Sequence, residues 1–215
     1  MISDSVPWRE QLWASADALE RRAASKRWTE RTAYLVERDL LTGMFAVRRL
    51  IESAKTSSNL PGERVSCGVH PLTGRAPRLL DRWSFWEHYD TTSKQQTQLT
   101  VRALASTFIH SFVLDFNPES ENGPATVWVV SDHARAKHLY SVSFLRIAAL
   151  FRRIGSEDVI FMAGPLDATA VRLSQHDMVD AGFATYDPFP YATESSASLE
   201  KLRNAFPSLD WSRNS

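Results

Sequence analysis

Arg102, Ser106 and His110 recur at intervals of four within TQLTVRALASTFIHSF. On a helix, at about 100° per residue, the three side chains lie within roughly 80° of one another. Val101, Leu104, Ala105, Phe108 and Phe112 then fill the other side, as a core-facing stripe requires. A fixed cation, a hydroxyl and an imidazole in one row can bind or cleave a phosphodiester. The guanidinium holds the anion, and a neutral imidazole takes a proton from a ribose hydroxyl. The same row also suits the solvated side of an ordinary amphipathic helix, and the residues alone leave both readings open.

A second polar cluster lies in VWVVSDHARAKHLY, residues 127 to 140. An apolar strand runs there into Ser131, Asp132, His133, Arg135, Lys137 and His138, a common way to present polar groups from a rigid edge. Asp132 can orient a histidine, and Arg135 and Lys137 can bind phosphate. The structural alternative is a strand-to-strand connection in which Ser131 and Asp132 make local backbone hydrogen bonds. Consecutive elements usually pack together, so this bend is expected to face His110. The candidate site therefore comprises His110 as base, Arg102 and Arg135 as phosphate ligands and Asp132 as orienter. Ser106, Ser131, Lys137 and His138 are added as binding groups.

Arg102 and His110 on one helix, after a long helix pair, resemble the HEPN family of helical ribonucleases, whose motif pairs an arginine with a histidine on one helix. The resemblance implies a metal-independent phosphodiesterase acting on RNA. It covers only the helical portion. Seven residues separate the pair here, more than the family's usual spacing, and Ala103 stands where a polar residue commonly follows the arginine. The strand-rich segment beyond the helix is foreign to that family.

Other clusters carry weaker chemistry. Trp83, Phe85, Trp86, His88 and Tyr89, beside Arg82, can stack on unpaired bases, but without a basic cluster they fit a core or subunit interface better. Arg21, Arg22, Lys26, Arg27 and Arg31 form a basic patch across the turn between the first two helices, where cations suit a helix C-terminus. Cys67 and His70 offer two ligands where structural zinc needs four, and His176-Asp177 is too short a motif to place a metal. No HExxH, GxSxG, Walker loop or GxGxxG occurs, so no metal or cofactor is expected.

The elements that must position these residues follow from periodicity. Ser5 with Pro7 marks a helix start, and Trp8, Leu12, Ala16, Leu19 and Ala23 carry that helix to about Lys26. Thr29 caps a longer helix with Ala33, Val36, Leu40, Val47, Leu50, Ile51 and Ala54 on one arc. Gly43, inside that arc, lets another helix approach closely. Tyr34, Leu41 and Phe45 on the outer side predict a second covering surface.

Strands are predicted at about 64–70, 112–116, 125–130, 139–143 and 159–163. Helices are predicted from Phe144 to Gly155, the latter as a cap, from about Asp167 to Ala181, and near Ser198–Ala205. The fold class is α+β: a long N-terminal helix hairpin (about 7–57) followed by a small, mostly antiparallel sheet flanked by helices (about 64–185). Residues 1–185 read as one domain and 186–215 as a loosely docked C-terminal tail.

Lys+Arg and Asp+Glu both total 25, so no global field draws the chain to nucleic acid or a membrane. Hydrophobic residues at 43% suffice for a packed core. One cysteine excludes an intrachain disulfide and fits a reducing cytoplasm, and no apolar run approaches the ~20 residues of a membrane span. Two functional classes follow. One is a cytoplasmic binding or regulatory domain that self-associates as a homodimer through the Tyr34–Leu41–Phe45 face. The other is an RNase-like enzyme acting on RNA or another phosphate-bearing ligand.

Overall fold

The computed structural model describes residues 4–25, 28–117, 126–163, 170–182 and 196–207. Helices α1 (Val6–Ala23) and α2 (Glu30–Glu52) form the expected N-terminal pair. Thr29 caps α2, its hydroxyl accepting from the Thr32 N–H at 3.2 Å. At α1 the cap differs from expectation. Ser5 makes no side-chain cap bond, and Asp4 Oδ1 instead accepts from the Val6 N–H at 2.9 Å. The helix ends at Ala23, and Lys26 and Arg27 lie outside the described residues.

There follow β1 (Arg64–Pro71), β2 (Gln95–Thr100), α3 (Val101–Ile109), β3 (Ser111–Asn117), β4 (Thr126–Ser131), β5 (His138–Ser143) and α4 (Phe144–Gly155). Next come β6 (Val159–Ala163), β7 (Val171–Ser174), α5 (Gln175–Asp180) and α6 (Ser196–Ala205). Five strands form one antiparallel sheet in the order β2-β1-β5-β4-β3, and β6 pairs with β7. The architecture is α+β.

Period-two alternation divides the sheet's residues between two cores. Val127, Val129 and Val142 join the main core with Leu12, Leu40, Val47, Leu104 and Phe151 of helices α1 to α4. On the other face Val113, Val130 and Leu139 lie under Phe85 and Tyr89, which come from a tight 3-10 segment, Leu79–Glu87, and its exit. Phe85 meets the Trp128 ring edge-on at 5.3 Å.

Two glycines mark close helix approaches. A Cβ at Gly43 would collide with the Phe151 ring of α4, the contact expected from its place on the arc. Gly155 was expected as the C-terminal cap of α4. It is instead the last residue of α4, where a Cβ would come within 2.7 Å of Trp13 on α1. Asp39, buried at 3% exposure, is neutralised by Arg22 and by Arg38 at 2.8 Å. Arg22 is thereby drawn out of the predicted basic patch.

Two predicted helices are shorter than their apolar spacing suggests. Residues 97–100 are not helical: Thr97 and Leu99 pair with Cys67 and Val65 across β1. Thr100 then caps α3 by accepting from the Ala103 N–H at 3.1 Å. Phe112 belongs to β3, so α3 carries its row on only nine residues. In place of a helix from Asp167, Val171–Ser174 is a strand paired to β6. The reciprocal cap of Ser174 and Asp177 starts α5 there, and Gly182 follows at φ +82°. Residues 164–169 and most of the predicted tail, 183–195 and 208–215, lie outside the described residues. Among the described residues no helix is long and apolar enough to cross a membrane.

Candidate functional site: a cationic cleft between two helices

Helix α3 packs on α2, and their polar sides bound a cleft of about 200 Å³ lined by Arg48, Ile51, Glu52, Arg102, Ala105 and Ser106. Arg102 stands exposed in the first turn of α3, one turn before Ser106. Arg48 lies on α2. Its Nε donates to Glu52 Oε1 at 2.7 Å, and its Nη1 lies 3.2 Å from His110 Nε2. Arg49 reaches the other Glu52 oxygen at 3.8 Å. The hydrogen bond from Arg48 holds the Glu52 carboxyl below its ordinary range, and the charges of Arg48, Arg49 and Arg102 add to this. Three guanidiniums thus surround one carboxylate. The locality is cationic although the chain as a whole is neutral.

His110 is exposed at the C-cap of α3, at the rim of this cleft and not among its lining residues. A guanidinium N–H can only donate, so in this contact His110 Nε2 accepts and a neutral ring carries its proton on Nδ1. The lone pair a general base would use is therefore engaged by Arg48.

The bend after β4 meets α3 through backbone. The Asp132 N–H donates to the His110 carbonyl at 3.2 Å, as the adjacency of helix and strand predicts. The side chains diverge. The Asp132 carboxylate lies 3.3 Å from Arg135 Nε, an exposed ion pair within the bend. Arg135 also donates to the Pro77 carbonyl at 3.2 Å and covers the Phe112 ring at 4.7 Å, so it braces the 3-10 segment. Ser131 Oγ accepts from the Ala134 N–H at 3.3 Å, the local turn bond expected of a connection. Lys137 is exposed. His138 packs against Tyr140 at 4.5 Å, and burial, reinforced by Lys137, depresses its pKa. Arg102 and Ser106 therefore line one cleft with His110 at its rim, while Arg135 braces the opposite face of the sheet and His138 lies against Tyr140 on the main-core side.

Two groups of this cleft, Arg48 and Glu52, were not selected from sequence. Their i, i+4 spacing on the polar side of α2 was the available signal, but such pairs are ordinary on solvated helices. Elsewhere on the helix pair, Trp8, Gln11, Arg38, Leu41, Thr42 and Phe45 line an open groove of about 760 Å³. Trp8 and Phe45 stack at 6.0 Å there, and Tyr34 is 62% exposed. The aromatic stretch divides: Phe85 and Tyr89 are buried, whereas Trp83 is 87% and Trp86 48% exposed. Cys67 is buried, and His70 is bonded to the Asp90 carbonyl and the Ser141 hydroxyl.

No family model, curated protein or solved structure matches the chain. The likeness to HEPN ribonucleases accordingly rests on Arg102 and His110 alone.

Proposed function

We propose that the protein is a binding domain that captures a phosphoryl group of its ligand in the α2–α3 cleft, with Arg102, Arg48 and Ser106 as the contacts. One observation carries this: Arg48, Arg102 and Ser106, from two helices, line the same cleft. At about 200 Å³ the cleft is smaller than the ~300–1,000 Å³ of whole small-molecule sites, so it suits one phosphoryl group with the remainder of the ligand outside. Binding is favoured over cleavage because Arg48 occupies the lone pair of His110.

The test is calorimetric titration of the full chain with a 5′-phosphorylated RNA oligomer, its unphosphorylated twin and inorganic phosphate. Arg102→Ala is expected to weaken the phosphorylated oligomer about tenfold or more, as for loss of a charged hydrogen bond. Equal affinity for both oligomers, or no effect of Arg102→Ala, overturns the assignment. Nuclease action is read in the same samples. RNA that decays with the parent chain and survives with His110→Ala makes the cleft a metal-independent, HEPN-like active site instead.

Self-association is carried by a separate observation, the exposed aromatic groove of α1 and α2, since contiguous apolar surface of this kind marks interaction sites. A dimer by light scattering that Phe45→Asp dissociates supports it, and a monomeric parent chain excludes it.

A further inference from the structure

The sheet has two edges of different character. At one, β2 (QQTQLT) is polar and runs directly into α3. At the other, β3 (SFVLDFN) is mainly apolar and pairs only with β4, so among the described residues no strand takes its outer hydrogen-bonding groups. Proteins usually blunt such an edge with lysine, proline or a covering element, because unpaired strand N–H and C=O groups template further pairing. Here a bulge at Phe112 disturbs only the start, and Val113–Asn117 pairs regularly with β4.

A groove of about 350 Å³ runs along this edge from Ser111 to Asp115. Glu37 of α2 and Arg82 and Trp83 of the 3-10 segment are its other walls. A strand edge with a wall on either side suits an extended chain, which can take up the outer backbone groups of β3.

Charge supplies the second half of the argument. Asp115 is half-buried and its Oδ1 accepts only from the neighbouring Phe116 N–H, at 2.8 Å. Glu37 is exposed, and among the described residues neither carboxylate has an ion-pair partner. Arg82, the one cation lining the groove, is placed over the Phe112 ring at 4.6 Å. Burial raises the Asp115 pKa, as expected of a carboxylate lacking a counterion.

We propose that the outer edge of β3 is the docking site for an extended, lysine- or arginine-bearing segment of a partner protein, added to the sheet as a sixth strand. Backbone hydrogen bonds to β3 supply the affinity, Trp83 covers an apolar side chain of the segment, and Asp115 and Glu37 select basic ones. This site stands apart from the α2–α3 cleft, and neither assignment depends on the other.

The full chain is titrated into a dye-labelled lysine/valine peptide and followed by fluorescence polarisation. Two comparison peptides are the same sequence with N-methylated backbone amides and a glutamate/valine version. Expected are saturable binding of the first peptide, about tenfold weaker binding once its amides are blocked, and a similar loss with Glu37→Lys/Asp115→Lys. Trp83→Ala, at a residue 87% exposed, removes the covering ring without touching the core and is expected to weaken binding as well. Circular dichroism confirms that each variant is folded. Arg102→Ala must leave the peptide affinity unchanged.

Absence of saturable binding, equal binding of the N-methylated or acidic peptide, or indifference to the charge reversals overturns the proposal. So does a parent dimer dissociated by the β3 and Trp83 variants, because a second copy would then occupy the edge.

Discussion

The α2–α3 cleft and the β3 groove share one helix and offer opposite chemistry. The cleft is lined by two guanidiniums, a hydroxyl and one carboxylate, with the Arg49 guanidinium beside that carboxylate and the His110 imidazole at the rim, around a space the size of one anion. The groove presents a strand edge that, among the described residues, pairs with another strand on one side only, with two carboxylates beside it that have no ion-pair partner there. Arg48 and Glu52 near the C-terminal end of α2 serve the first, and Glu37, about three to four turns earlier, serves the second. The difference shows how a chain with no net charge can separate two recognition modes, point charges for an anion and repeated hydrogen bonds for a strand. Neither field extends far, because each cluster is local and salt screens exposed charges beyond about 8–10 Å.

The largest expected effect breaks both sites together. Gly43 lies between them on α2, against Phe151, so Gly43→Val overpacks the helix contact that holds both walls. A loss of about 3 kcal/mol in a urea titration is expected, with phosphate and peptide binding falling in parallel. Retention of either at full strength would show that α2 does not couple them.

A smaller change sharpens the contrast. Glu52→Gln removes the one carboxylate lining the cleft, so affinity for a phosphorylated oligomer should rise about threefold while peptide binding stays unchanged. The gain should shrink as salt is raised, which titration at two ionic strengths checks.

The subtlest test uses pH. His70 is buried on the sheet face that carries the 3-10 segment, and burial depresses its pKa, as it does for His138. A histidine whose folded pKa lies below its unfolded value, about 6.5, binds fewer protons when folded. Its contribution to stability is complete above about pH 6.5 and is lost as pH falls through the folded pKa. Thermal melts should therefore decline on acidification below that point, and His70→Gln should flatten the decline. An unchanged slope in that variant would place the acid sensitivity elsewhere.

Much of the fold was legible in order of signal length. The long apolar periodicities of α2 and α4, the Thr29 cap and the apolar run at 125–130 all predicted their elements. Short elements were misread. Residues 97–100 were read into the helix whose stripe is Val101, Leu104, Ala105 and Phe108, yet strand pairing to β1 claims them and Thr100 restarts the chain as α3. Likewise Val171–Ser174 has too few residues for alternation to outweigh a helical pattern, and its partner β6 decided the matter. Of the candidate site, Arg102 and Ser106 were visible as a pair because α3 alone sets their angular spacing, whereas His110 falls just past its end as the C-cap.

What the sequence determined by itself is local: which faces are apolar, where caps and turns fall, and that Arg102 and Ser106 project together. Only the tertiary structure brought Arg48 to His110, 62 residues away, and turned Asp132 toward Arg135. It alone placed β3 between Glu37 and Trp83 with no second strand beside it among the described residues. Helical and strand periodicity is written in neighbouring residues, whereas convergence of distant side chains depends on how helices close on one another, here through Gly43 and Phe151.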